Sequence, residues 1–219
     1  MQEMIHAVKM SGGLMILMGV VLLISLAVII ERLYVLKKIQ AQGKDIHNKL
    51  RQVPYQNVGG LKALVDASAE TLQGHLIDTA IGSRGETAEE MEMHLEEEIM
   101  AASPKISKRL WVLDTTVTIA PLLGLFGTII GMIQAFRVIT GPGSTAQVTG
   151  GISDALISTG SGLFIAIIAV YFVNYFSNLT RDIFQQLELI KLVLINRLHG
   201  KGVGEAVPVA RPVRSSMGA

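Results

Sequence analysis

Charged residues are absent from three long stretches of the 219-residue chain. The first is "MSGGLMILMGVVLLISLAVII", residues 10–30, between Lys9 and Glu31. The second lies between Asp114 and Arg137, the third between Asp154 and Arg181. Each reaches the roughly 20 residues that an α-helix needs to cross a bilayer core. Three such helices buried in a soluble protein of this length would leave too little polar sequence to cover them. The pattern predicts an all-α integral membrane protein with three transmembrane helices, at 10–30, 113–136 and 153–178. The first stretch could pass for a signal peptide, but no A-x-A-like cleavage site precedes Glu31 and the basic residues follow it. It reads as a retained anchor.

Between and beyond the spans the apolar spacing stays helical. Residues 31–53 read as a continuation of the first helix, ending near Pro54. "GGLKALVDASAETLQGHLIDTAI" places Leu61, Leu64, Val65, Leu72, Leu76 and Ile77 at the spacing of one amphipathic helix. Seven glutamates follow between Glu86 and Glu98, which read as a solvated acidic face. Pro104 marks a boundary before the second span. After the third span, Leu179, Ile183, Leu187, Ile190, Leu194 and Leu198 keep the helical period through 179–200. Gly200, Gly202 and Gly204 then stop it, and 201–219 reads as a disordered tail.

Charge adds an orientation. Arg32, Lys37, Lys38, Lys44 and Lys49 follow span 1. Lys105, Lys108 and Arg109 precede span 2, and Arg181, Lys191 and Arg197 follow span 3. The opposite side carries only Lys9 and Arg137. Basic residues stay on the cytoplasmic side. This predicts a periplasmic amino terminus (1–9), a long cytoplasmic helical region (31–112), a short periplasmic loop (137–152) and a cytoplasmic carboxyl terminus.

Composition narrows the chemistry. Charged residues make up 17% of the chain, against about 25% in ordinary soluble domains. The net charge of +1 gives no reason to expect nucleic acid as a partner. Without cysteine there is no disulfide frame, thiolate metal site or cysteine nucleophile. His6, His47, His75, His94 and His199 show no metal-ligand spacing, and "GLFGTIIG" lacks the lysine and strand–turn–helix setting of a phosphate loop. No cofactor, metal site or enzymatic chemistry is expected.

The candidate chemistry lies in two spans. "APLLGLFGTIIGMIQAF" (120–136) carries Pro121, Gly124, Gly127, Thr128 and Gly131. Span 3 carries Ser158 and Gly162 within "STGSG". In lipid, helices associate by close packing, so small residues mark the faces that meet. Gly124, Gly127, Gly131, Pro121, Ser158 and Gly162 are therefore expected at helix–helix contacts. Thr128 lies about 12 Å from the outer end of its span and Thr159 about 8 Å inward from Asp154, at 1.5 Å per residue. Two hydroxyls then fall at similar depth on antiparallel neighbours. They suit a polar belt in a channel, or equally two back-bonded hydroxyls that stabilise their own helices. Asp154 reads either as a first-turn carboxylate favoured by the helix dipole or as an intramembrane functional acid.

"APLLGLFGTIIGMIQAF", a short loop and "GISDALISTGSGLFIAIIAVYFVNYF" resemble the signature of the MotA/TolQ/ExbB proton-channel family. The likeness is strong over roughly 110–178, and the three-span layout is similar to ExbB and TolQ rather than to four-span MotA. It implies a homo-pentamer in the bacterial inner membrane around a dimeric, single-span ExbD- or TolR-like partner that carries a titratable aspartate. Proton-motive force would then reach the outer membrane through a TonB- or TolA-like protein. On matching positions it implies that Thr128 and Thr159 line the lumen. Asp154 stands where the family usually has glutamate. Within the resemblance, an ExbB role in TonB-dependent transport and a TolQ role in envelope integrity are alternatives. A non-transporting membrane scaffold, in which glycines and threonines only pack helices, is the alternative outside it.

Overall fold

The computed structural model describes residues 13–54, 57–139 and 145–199, and the side chains of all of these but 138–139 and 145–147. The expected amino-terminal segment 1–9 and tail 201–219 lie outside the described residues. In chain order the helices are α1 (Leu14–Gln52), α2 (Val58–Ser68), α3 (Leu72–Gly82), α4 (Ala88–Ile106), α5 (Leu110–Ile139) and α6 (Thr145–His199). No strand occurs among the described residues. Three helices, α1, α5 and α6, are long and apolar enough to cross a membrane, so the fold is that of an all-α membrane protein.

The spans do not stop at the membrane. α1 runs 39 residues without a proline, and Lys49 and Arg51 in its last turn face the carbonyl end of the helix. α6 runs 55 residues, also without a proline, and joins the third span and the segment after it into one rod. α5 packs along one half of α6, and α3 and α4 along the other, with α1 beside both.

The extramembrane half has a conventional aliphatic core. Leu36, Leu50, Ile77, Met91, Leu95, Ile183, Leu187 and Leu194 are among its fully buried members. Lys191 is buried at its edge, with its ammonium 2.8 Å from Glu188 and 3.9 Å from both Glu92 and Glu96. Burial alone would depress this lysine. The hydrogen bond to Glu188 and the three carboxylates outweigh it and hold the amine above the usual lysine range.

Three expectations change. The segment 59–81 forms two helices, not one. The Thr71 hydroxyl accepts from the Gly74 N–H at 3.0 Å and donates to the Ser68 carbonyl at 2.7 Å, so it caps α3 and turns the chain. Gly74 is required there, because a Cβ would collide with the Ser68 carbonyl. Apolar periodicity could not show the break, since both helices face the same core. Pro104 does not end its helix: it sits inside the last turn of α4, which closes at Ile106. The proline removes one late hydrogen bond without breaking the earlier turns. At the other end, α4 opens on a capping box, where Thr87 accepts from the Glu90 N–H at 3.2 Å and Glu90 accepts from the Thr87 N–H at 2.9 Å. Hydrogen bonds from the Thr87 backbone and hydroxyl lower the Glu90 pKa.

The third change concerns the 137–152 connection. α5 extends to Ile139 and α6 begins at Thr145. Span 3 is therefore part of a helix that starts well before 153. Asp154 lies nine residues beyond Thr145 in α6, not in its first turn. The helix-dipole explanation fails with it, because that effect falls off within the first turn.

Candidate functional site

α5 and α6 meet along a seam of small residues. A Cβ added to Gly162 would stand 2.5 Å from the Ala120 carbonyl oxygen and 2.9 Å from the Gly124 Cα. At Gly124 it would stand 3.1 Å from the Ser158 carbonyl oxygen and the Thr159 Cα. At Gly131 it would stand 2.8 Å from the Ala155 Cβ, and at Gly127 it would collide with the Ser158 hydroxyl. Pairing Ala120 with Gly162, Gly124 with Thr159 and Gly131 with Ala155 makes the helices antiparallel. Backbone lies against backbone here because side chains would hold it apart. Pro121 sits half-buried inside α5, next to Ala120 in this seam.

In the middle of the seam the Thr128 and Thr159 hydroxyls hydrogen-bond each other. Thr128 Oγ1 also lies 3.2 Å from the Gly124 carbonyl oxygen and 3.3 Å from that of Ala155. Thr159 Oγ1 lies 3.2 Å from the same Gly124 carbonyl oxygen. The geometry thus contains both sequence readings, since each hydroxyl reaches a carbonyl and each reaches the other. Their protons are fewer than the acceptors they reach. If Thr128 donates to Thr159, Thr159 donates to Gly124; reversed, Thr128 donates to a carbonyl. Either direction satisfies the pair, because a hydroxyl both donates and accepts. Both threonines are half-buried in the chain.

Asp154 is not brought to this pair. It is five residues from Thr159 on the same helix, which places it about 7.5 Å toward the amino-terminal end of α6 and roughly 140° around the axis. It is exposed and makes no ion pair among the described residues. Ser158 faces α1 instead, with its hydroxyl 3.9 Å from the Met18 sulfur.

A second hydroxyl pair went unread in the sequence. Ser25 of α1 and Thr116 of α5 lie 2.9 Å apart and buried, and each hydroxyl oxygen also lies 2.8 Å from a carbonyl of its own helix, Val21 or Val112, so one donates to its own helix and the other to its partner hydroxyl. The available signal was Ser25 itself, the one hydroxyl inside the apolar run after Gly19. A charged node near the end of the spans was also missed. Glu31 pairs with both Arg109 and Arg32, and Arg32, 2% exposed, donates to the Lys105 carbonyl at 3.4 Å. The node ties α1 to the end of α4 and to the turn before α5. Arg109 holds a positive φ of 60° in that turn.

Comparison with known proteins covers both halves of the molecule. The model of the MotA/TolQ/ExbB proton channel family matches residues 62–189. The chain is similar to biopolymer transport protein ExbB-like 3 of Synechocystis, 34% identical over 176 residues, which cover 78% of this chain and 83% of that protein. It is 32% identical over 127 residues to biopolymer transport protein ExbB of Xanthomonas campestris pv. campestris, covering 56% of this chain and 50% of the relative. Biopolymer transport protein ExbB of Neisseria gonorrhoeae is 42% identical over 71 residues, 32% of each chain.

Proposed function

The chain belongs to the MotA/TolQ/ExbB proton channel family, and on that premise we propose that it is an ExbB-like stator subunit of the bacterial inner membrane. Five copies enclose the single spans of an ExbD-like partner, and proton flow drives work delivered through a TonB-like protein to outer-membrane transport. The amino terminus is periplasmic and the long α1–α5 connection cytoplasmic. The ExbB names of the relatives favour this role over a TolQ-like one.

The observation that carries the reading is the Thr128–Thr159 pair. Two hydroxyls whose hydrogen bond can run in either direction sit in a seam made mostly of glycine and alanine. Helix packing alone would be served by glycine. A proton arriving on a partner's aspartate meets a group that can donate to the carboxylate when it is ionised and accept when it is protonated. The apolar stretch between Asp114 and Arg137 holds no acid of its own, and Asp154 stands at the outer edge on another face. The titrating group is therefore assigned to the partner. One charge crossing 100 mV is worth about 2.3 kcal/mol, so useful work requires repeated cycles.

The test is Thr128→Ala and Thr159→Ala in cells that depend on iron-chelate uptake, with membrane level and complex size measured alongside. Each variant is expected to assemble and yet to lose growth on the chelate, with Thr→Ser restoring it. Normal growth of both alanine variants would overturn the proposal in favour of a scaffold.

A further inference from the structure

One face of α1 changes along its length in the order of a lipid monolayer. Leu23 (67% exposed), Ile30 (63%) and Tyr34 (72%) follow one another down it, and exposed Lys37 and Lys38 come next. At 1.5 Å per residue Tyr34 lies about 6 Å and Lys37 about 10 Å beyond Ile30. Hydrocarbon, then an amphipathic ring, then ammonium is the sequence in which side chains meet acyl chain, ester and headgroup. Ile30, Leu33, Tyr34, Lys37 and Lys38 line a shallow cleft of about 620 Å³ at this level.

Of the cations around this level that make no ion pair among the described residues, Lys37 and Lys38 are the two that line the cleft. Arg32 and Arg109 are paired with Glu31, and Lys49 with Asp45 at 2.7 Å. The Asp182 carboxylate accepts from Gln40 at 3.3 Å. Lys37 and Lys38 make no ion pair among the described residues. A second protein chain laid over the cleft would have to desolvate two unpaired ammonium groups, a costly step. An anionic headgroup supplies their counter-charge while its tail stays on Ile30 and Leu33.

We propose that this cleft is a binding site for the headgroup of an anionic phospholipid, with Lys37 and Lys38 on its phosphate and Tyr34 at the glycerol level. The site is separate from the hydroxyl seam and does not depend on the direction in which the chain crosses the membrane.

The experiment reconstitutes the full chain into vesicles of equal phosphatidylcholine and phosphatidylglycerol, extracts it in mild detergent and quantifies the retained lipid by mass spectrometry. The wild-type chain is expected to retain phosphatidylglycerol preferentially. Lys37→Gln with Lys38→Gln should lower that preference roughly tenfold. Lys37→Arg with Lys38→Arg, and Lys62→Gln on α2, should keep it. Salt of about 1 M, where screening acts within about 3 Å, should weaken it in the wild type, so the result stands even if the glutamine variant misfolds. No wild-type preference, an unchanged preference in a folded glutamine variant, or insensitivity to salt would overturn the proposal. So would displacement of the lipid by inorganic phosphate, which would assign the cleft to a free anion.

Discussion

The two halves of α6 are packed by opposite rules. Around Ile183, Leu187, Ile190 and Leu194 the helix is covered by large aliphatic side chains from α1, α3 and α4. Around Ala155, Ser158, Thr159 and Gly162 it is covered by glycine and alanine of α5. In water, association is driven by removing apolar area, so a larger side chain contributes more. In lipid that term is missing and helices hold together by close approach and hydrogen bonds. One continuous helix therefore reads as leucine-rich where water surrounds the bundle and as glycine-rich where lipid does.

The comparison can be broken most forcefully on the leucine side. Leu187, 1% exposed, fills the centre of the aliphatic core. Leu187→Ala is expected to cost about 2–5 kcal/mol, read as a lower unfolding midpoint and faster proteolysis between α1 and α5 in purified protein. On the glycine side the direction reverses. Gly162→Ala forces the α5 backbone away and should cost about 1–3 kcal/mol. Gly160→Ala, two residues earlier with nothing within 4 Å of its Cβ, should be neutral or stabilise by about 0.5–1 kcal/mol. Denaturant titration in micelles separates the two. Equal effects would remove close approach as the organising force of the seam.

Smaller effects sharpen the boundary. Ser25→Ala should cost about 0.6 kcal/mol, since Thr116 keeps its bond to Val112. The pH dependence should concentrate outside the membrane. Lys191 has a raised folded pKa, so its contribution is complete below the ordinary lysine value of about 10.4 and is lost as pH rises through the higher folded value. Glu90 has a lowered folded pKa. Its contribution is complete above about 4.3 and is lost as pH falls through the lower folded value. Circular dichroism of wild type against Lys191→Met at high pH, and against Glu90→Gln at low pH, should show each loss only where the ionisable group is present.

What could be read in advance divides along the same line. The spans were legible because charge is excluded from lipid. Small residues at helical spacing pointed to the α5–α6 contact, because in lipid such residues allow close approach; composition alone could not separate them from Gly19 and Gly160, beside which nothing packs. The Thr128–Thr159 match came from counting 1.5 Å steps along two antiparallel rods. The break at Thr71 was hidden because both flanking helices bury the same side. The early start of α6 was hidden because Gly, Ser and Thr favour loops in water. The reach of that helix removed the dipole explanation for Asp154. Long-range pairs such as Ser25 with Thr116, or Glu31 with Arg109, have no local signature at all.

The unbroken length of α6 has a mechanical consequence. From Thr159 to His199 are 40 residues, or about 60 Å of helix. Those residues contain no proline, and Gly160 and Gly162 lie at the membrane end. A rod of that length has a lever ratio: a tilt of about 5° at the hydroxyl pair carries the far end roughly 5 Å, about one helical turn.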